Sequence, residues 1–303
     1  MRTLLAASLL AIAAVSASYY FGSFELRRQL QHAAIHALNL FRAPEFMPRA
    51  VVTALNTVYD SIPGSAGLEV EGGELGYDDS PLLAGVPLSQ APVRVLRNQS
   101  YINLYDEQLR QSRCVAFKLE AAARQPAAVP QQFVADPRIP NRRVGDLPRG
   151  PWQAQPMAPA AALGQAFGSA AAKEAHLVTN LVPMPHNLQA LWQRLMHELT
   201  VHYPKRFGEI WIYVGPIAQP HGARLASGIA AADSFYAIAF DLTETGGLRA
   251  IAFHLPVDAE DAPLQNYLSS IERIEQLSGL QFLPEVDYHA RSVLSSAVNA
   301  QLW

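Results

Sequence analysis

The 303-residue chain holds a single cysteine, Cys114, so no intrachain disulfide can form. No Cys or His cluster in the sequence has the spacing of a zinc motif. There is no G-x-x-x-x-G-K-[ST] loop for nucleotide phosphates. A G-x-S-x-G nucleophile elbow is also missing. Gly64-Ser65-Ala66-Gly67 comes nearest, but it lacks the strand–turn–helix setting. Charge is scarce too: 16% of residues are charged and the net charge is −3. That balance gives no global pull toward nucleic acid, so any such binding needs a local basic patch. Half the residues are hydrophobic, which suits a folded chain and not a disordered one. The length allows one large domain or two small ones.

The N-terminus carries a long uncharged and mostly apolar run, Thr3 to Phe24. About 20 apolar residues cross a bilayer at 1.5 Å each. Two readings compete. In one, Val15-Ser16-Ala17 is the small-x-small cleavage site of an export signal. In the other the segment stays as an anchor, with Tyr19, Tyr20 and Phe21 at the interface before Arg27 and Arg28. A buried helix is the third, blander reading. Residues 25–77 follow as a stalk. Leu26, Leu30, Ala33 and Leu38 recur at helical spacing, Pro44 and Pro48 interrupt them, and a Gly-rich acidic linker leads to Ser80.

From about residue 78 the pattern is that of a folded domain. Val93–Leu96, Tyr101–Tyr105 and Arg113–Leu119 have strand character. So do Glu209–Gly215, Phe235–Asp241 and Leu248–Leu255. Ala160–Ala175, Leu188–Tyr203 and Leu264–Leu280 read as helices, the second strongly amphipathic. Arg124–Pro159 reads as loop, and residues 287–303 as a tail. Strands and helices alternate without a βαβ rhythm, so the expected class is α+β with a mostly antiparallel sheet flanked by helices.

Eight segments carry a family likeness in consistent order. They are Val95–Glu120, Phe133–Pro140, Met157–Leu163, Thr179–Leu195, Ile210–Ile217, the pair Gly228–Asp241 and Arg249–Pro256, and Tyr267–Val286. Together they resemble the DNA/RNA non-specific endonucleases over roughly residues 78–286. The resemblance implies a ββα-metal (His-Me finger) unit. It also implies an Asp-Arg-Gly-His histidine as general base, an asparagine holding hydrated Mg2+, a supporting glutamate, and nucleic acid as the ancestral ligand.

This chain departs from that pattern at its chemical positions. Gln153-Ala154-Gln155-Pro156 stands where Asp-Arg-Gly-His belongs, so Pro156 takes the histidine's place. With the register anchored on Trp192, Leu188 replaces the metal asparagine and Met196 the glutamate. Proline cannot take a proton, and leucine and methionine offer no hard oxygen to Mg2+. Asn180 alone persists. The expectation is therefore a pseudonuclease with no catalytic residue and no metal. It would be tethered or exported through residues 3–24 and would bind a protein partner, a membrane assembly or nucleic acid.

The alternative is a rearranged, Mg2+-dependent endonuclease built on His186, Asn187 and Asn180, the two asparagines being the fallback metal ligands. His176 reads as a packed ring, and Glu198 as surface charge. Arg138, Arg142, Arg143 and Arg149, interrupted by Asp146, are the candidate nucleic-acid contacts.

Overall fold

The structure is a computed structural model that describes residues 81–121, 128–148, 150–242 and 248–303. The candidate anchor, the stalk and Arg149 lie outside the described residues. Among the described residues no helix is long and apolar enough to cross a membrane.

A seven-stranded, fully antiparallel sheet organises the domain. Its strands are β2 (Arg94–Arg97), β3 (Tyr101–Asp106), β4 (Gln111–Glu120), β7 (Glu209–Ile217), β8 (Ser234–Leu242), β9 (Leu248–Pro256) and β10 (Leu268–Ser269). They lie in the order β10-β9-β8-β7-β4-β3-β2. The central strands are buried on both faces, which explains their unbroken apolar runs EIWIYVG and FYAIAFD. An antiparallel strand with one wet face would alternate.

On one face, Phe117, Ile212, Val214, Phe235 and Ala237 meet the helices. On the other, Tyr213 and Tyr236 pack edge-on against Phe282, at 5.9 and 5.7 Å between ring centres. That second face is closed by β1 (Leu88–Ser89), which pairs with β11 (Leu280–Gln281). Gly215 lies where β7 passes β4 too closely for a side chain. A Cβ there would stand 2.2 Å from the Arg113 carbonyl oxygen.

Three expected helices come out differently. Ala160–Ala175 splits at Gly168, which has φ 93°, into α1 (Ala160–Phe167) and α2 (Ser169–Glu174). Leu188–Tyr203 is α3 (Gln189–His197), a π-helical turn (Glu198–His202) and α4 (Tyr203–Phe207). Pro204 supplies the reason. It has no N–H for the carbonyl of Thr200, and its ring would strike that carbonyl in a regular helix, so the backbone widens one turn earlier.

Leu264–Leu280 begins with a short 3-10 turn and the edge strand β10. The helix proper, α5 (Ile271–Ser278), starts only at Ser270, whose hydroxyl accepts the Arg273 N–H at 3.1 Å. After Val286, Asp287 caps α6 (Tyr288–Ser296), and Leu302 and Trp303 pack back onto the main core.

Candidate functional site

A further two-stranded sheet takes its first strand from the Arg124–Pro159 region that the sequence suggested was all loop. Strand β5 (Trp152–Pro156) runs antiparallel to β6 (Leu181–Pro185), with Trp152 opposite Pro185 and Pro156 opposite Leu181. A 3-10 turn, His186–Leu188, then leads directly into α3. Two strands and a helix are thus arranged as the sequence likeness implied.

The chemistry at this unit is apolar. Leu188 is fully buried in the main core, beside Leu191 and Trp192. Met196 is nearly buried. Pro156, Pro159, Ala160, Ala161, Trp192 and Met196 line an open groove of about 340 Å3, together with the polar side chains of Gln155, Gln193, His197 and Thr200. The Trp192 ring meets Phe235 edge-on at 5.9 Å, and its Nε1 has no acceptor. Neither a base nor a hard-oxygen donor converges on the groove from Pro156, Leu188 or Met196. A hydrated Mg2+ does not fit these residues.

Asn180 is retained, but it is not available to a metal. It is fully buried in the 3-10 turn Val178–Asn180. Its Oδ1 accepts the Ala158 N–H at 2.8 Å. Its Nδ2 donates to the carbonyls of Ala158 and Ala175, at 2.9 and 2.8 Å. The whole carboxamide is thereby spent on fixing the turn after Pro156.

The preceding residue belongs to a similar network. Thr179 Oγ1 donates to Asp136 Oδ2 at 2.7 Å, and the Thr179 carbonyl accepts from Asn103 Nδ2 and Ser112 Oγ. Asp136 also takes Arg138 in a two-point contact, through Nε at 2.9 Å and Nη2 at 2.8 Å. Burial alone would raise the Asp136 carboxyl. The Arg138 bonds and charge, together with Thr179, outweigh it and hold the group below the usual carboxylate range.

The alternative constellation does not assemble. Asn180 precedes β6 and His186 follows it, so the strand separates them by roughly 15–20 Å at about 3.3 Å per residue. The His186 ring is exposed and its Nε2 donates to the Gly150 carbonyl at 3.0 Å. Asn187 turns its Nδ2 to the Val257 carbonyl at 2.9 Å. Neither faces Asn180. His176 is the packed ring that was expected: it stacks on Phe133 at 5.3 Å and bonds the Ala172 carbonyl through Nδ1.

The described arginines of the basic run do not form one exposed patch. Arg138 is absorbed by Asp136, the Arg97 carbonyl and Asn98. Arg142 is only 1% exposed and reaches the Leu181 carbonyl at 3.2 Å, while its Nε and Nη1 lack partners. Burial lowers its affinity for a proton. Arg143 is exposed. Asp146 pairs with Arg110 at 2.8 Å and accepts the Arg143 backbone N–H at 2.9 Å.

What the sequence did not reveal is a histidine pair. His197 and His202 have ring centres 4.8 Å apart, and His202 Nδ1 lies 3.1 Å from Glu198 Oε2. Residues four apart, Glu198 and His202, could have been paired on helical spacing. Residues five apart could not, because an α-helix sets them about 140° from each other.

Comparison with known proteins agrees with this geometry. A family model for DNA/RNA non-specific endonucleases matches residues 82–289. The mouse (Mus musculus) mitochondrial nuclease EXOG is 27% identical over 179 residues, covering 52% of this chain and 47% of its own. The chain thus spans about half the length of that curated relative. A crystal structure of the EndoG/EndoGI complex superposes with a TM-score of 0.59 at 20% identity, covering 70% of this chain and 94% of that one. With the matched region taking in the sheet, the β5–β6–α3 unit and α5, the chain belongs to the DNA/RNA non-specific endonuclease family.

Proposed function

We propose that this is a catalytically inactive member of its family, a pseudonuclease that acts by binding. One observation carries the reading: at the ββα unit, Pro156 and Met196 face the groove where the likeness implies a histidine and a glutamate, Leu188 is buried in the core where it implies the metal asparagine, and Asn180 is consumed by backbone bonds. Loss of a general base is typically worth about 10²–10⁴-fold in rate. Loss of the cation removes several kcal/mol more of charge stabilisation.

The binding reading favours a protein partner over nucleic acid. Net charge is −3, and Arg138 and Arg142 are withdrawn from the surface. Arg143 and Arg149 remain as the candidate contacts for nucleic acid. The solved neighbour EndoG is itself seen in a complex with EndoGI, which is in keeping with protein recognition. Residues 3–24 would tether or export the domain, so the partner would belong to a membrane-associated assembly. Deleting residues 1–24 should then release the protein from the membrane fraction.

The test is direct. Purified protein, incubated with plasmid and Mg2+ or Mn2+, should nick no faster than buffer. Metal-dependent cleavage overturns the proposal. A rearranged endonuclease would then be the reading, and His186→Ala would ask whether that ring takes part.

A further inference from the structure

The π-helical turn after α3 builds a cluster of which only His197 also borders the groove. In a regular helix His197 and His202 would diverge. In the π turn the fifth residue comes back over the first, so both imidazoles stand on one face with ring centres 4.8 Å apart. Glu198 Oε2 accepts the His202 Nδ1–H at 3.1 Å, which leaves Nε2 as the nitrogen with a free lone pair. The His202 side chain is 53% exposed and Glu198 28%, so the cluster is open to solvent.

We infer that His197 and His202 chelate a borderline divalent cation of the Zn2+ class, with Glu198 orienting the His202 ring. The spacing is right for it. A Zn–N bond of about 2.0–2.1 Å, added to about 1.2 Å from nitrogen to ring centre, puts the cation about 3.2 Å from each centre. Centres 4.8 Å apart then subtend about 97° at the metal, between octahedral and tetrahedral angles. Nitrogen donors select Zn2+, Ni2+ or Cu2+ over the hard Mg2+.

Among the described residues no group of three His, Cys, Asp or Glu side chains is placed to hold a metal. The protein therefore supplies two ligands and water the rest. An open recess of about 570 Å3, bordered by His197, Glu198, Arg194, Ala190 and Leu264, leaves room for that water. The nearby positive charge is already occupied: Arg194 is paired with Asp261 and with the Ala262 carbonyl. The cluster adjoins the groove through His197, but its two imidazole ligands are not residues that the family likeness implies for Mg2+.

Calorimetric titration of the untagged full chain with Zn2+ tests the inference. One saturable site per chain is expected, and His197→Ala and His202→Ala should each weaken it at least about tenfold. Co2+ in the same site should show the visible absorption of nitrogen ligation. Glu198→Ala should keep the stoichiometry and lower the affinity, because the ring loses its orienting acceptor. Both histidines are exposed, so unchanged circular dichroism in the variants is expected and checks the fold. Absence of saturable Zn2+ binding overturns the inference. So does an unaltered site in the His197→Ala/His202→Ala double variant.

Discussion

Asn180 Oδ1 holds the Ala158 N–H at 2.8 Å, and so pins the turn after Pro156 to the start of β6. In the family likeness that turn lies just past the catalytic histidine. Here the pin persists although the residue it would have positioned is a proline. Asn180→Ala should therefore act on stability and not on metal binding. It strands one buried N–H and leaves two buried carbonyls short of a donor, at about 1–3 kcal/mol for each unsatisfied group. A loss of about 3 kcal/mol in urea unfolding is expected. A variant as stable as the parent would show that the carboxamide is not the strut described.

The Asp136–Arg138 pair predicts acid sensitivity. The folded carboxyl titrates below its unfolded value, so the folded state binds fewer protons in that range. Its contribution is complete above about pH 4 and is lost as pH falls through the lowered folded value. Asp136→Asn should flatten that part of the stability curve. It should also cost about 3 kcal/mol near neutrality, because a largely buried guanidinium loses its counter-charge. Chemical unfolding at pH 7, 5 and 3.5 measures both effects, and parallel curves for the two proteins would refute them.

Cys114 is fully buried, and burial pushes its thiol up to about 12 against the weaker opposing effect of the Tyr236 bond. Thiolate is the reactive form, so the native protein should resist a thiol reagent at pH 8. In urea the same residue should react as a free cysteine does. Rapid labelling of the native chain would mean that the strand pair β4–β7 opens far more readily than its packing suggests.

The sheet was legible in the sequence because its strands are long and apolar, and a run such as FYAIAFD has no other good solution in a soluble fold. The substitutions at the family's chemical positions were legible too, since Leu188 and Met196 are placed by their spacing from Trp192 and Pro156 by its place just before Met157–Leu163. Strand β5 was not legible: WQAQP carries no alternation and ends in proline, and only its pairing with β6 makes it a strand. The fate of Arg142 was hidden because its burial depends on β3 and β6, both distant in sequence, and that of Arg138 because its local pairing with Asp136 is completed by the Arg97 carbonyl and Asn98. The histidine pair was hidden by a backbone irregularity that Pro204 imposes from outside the pair.

Gly215 is the position where packing leaves least latitude. A methyl group there would meet the Arg113 carbonyl oxygen at 2.2 Å and the Tyr236 hydroxyl at 2.9 Å. The first neighbour is backbone within the central strand pair, and it cannot move without breaking the β4–β7 ladder. Gly215→Ala should cost at least about 2 kcal/mol or prevent soluble expression. A melting temperature within a degree of the parent would show that the sheet accommodates the methyl group.

Pro156→Ala and Pro156→His separate two ways in which the groove could be silent. If only the base were missing, an imidazole at residue 156 would restore metal-dependent nicking. The surroundings argue otherwise. Leu188 is buried in the core, Met196 is a thioether, and both donors of the Asn180 amide are engaged, so no hard oxygen set is ready for Mg2+. A base without the cation leaves the charge on the scissile phosphate unopposed. Pro156→His should therefore leave plasmid intact, as Pro156→Ala does, at every Mg2+ concentration tried. Nicking that appears with His and Mg2+ together, and not with Ala, would mean that a cation-binding set survives in the groove and that this domain is one substitution away from being a nuclease.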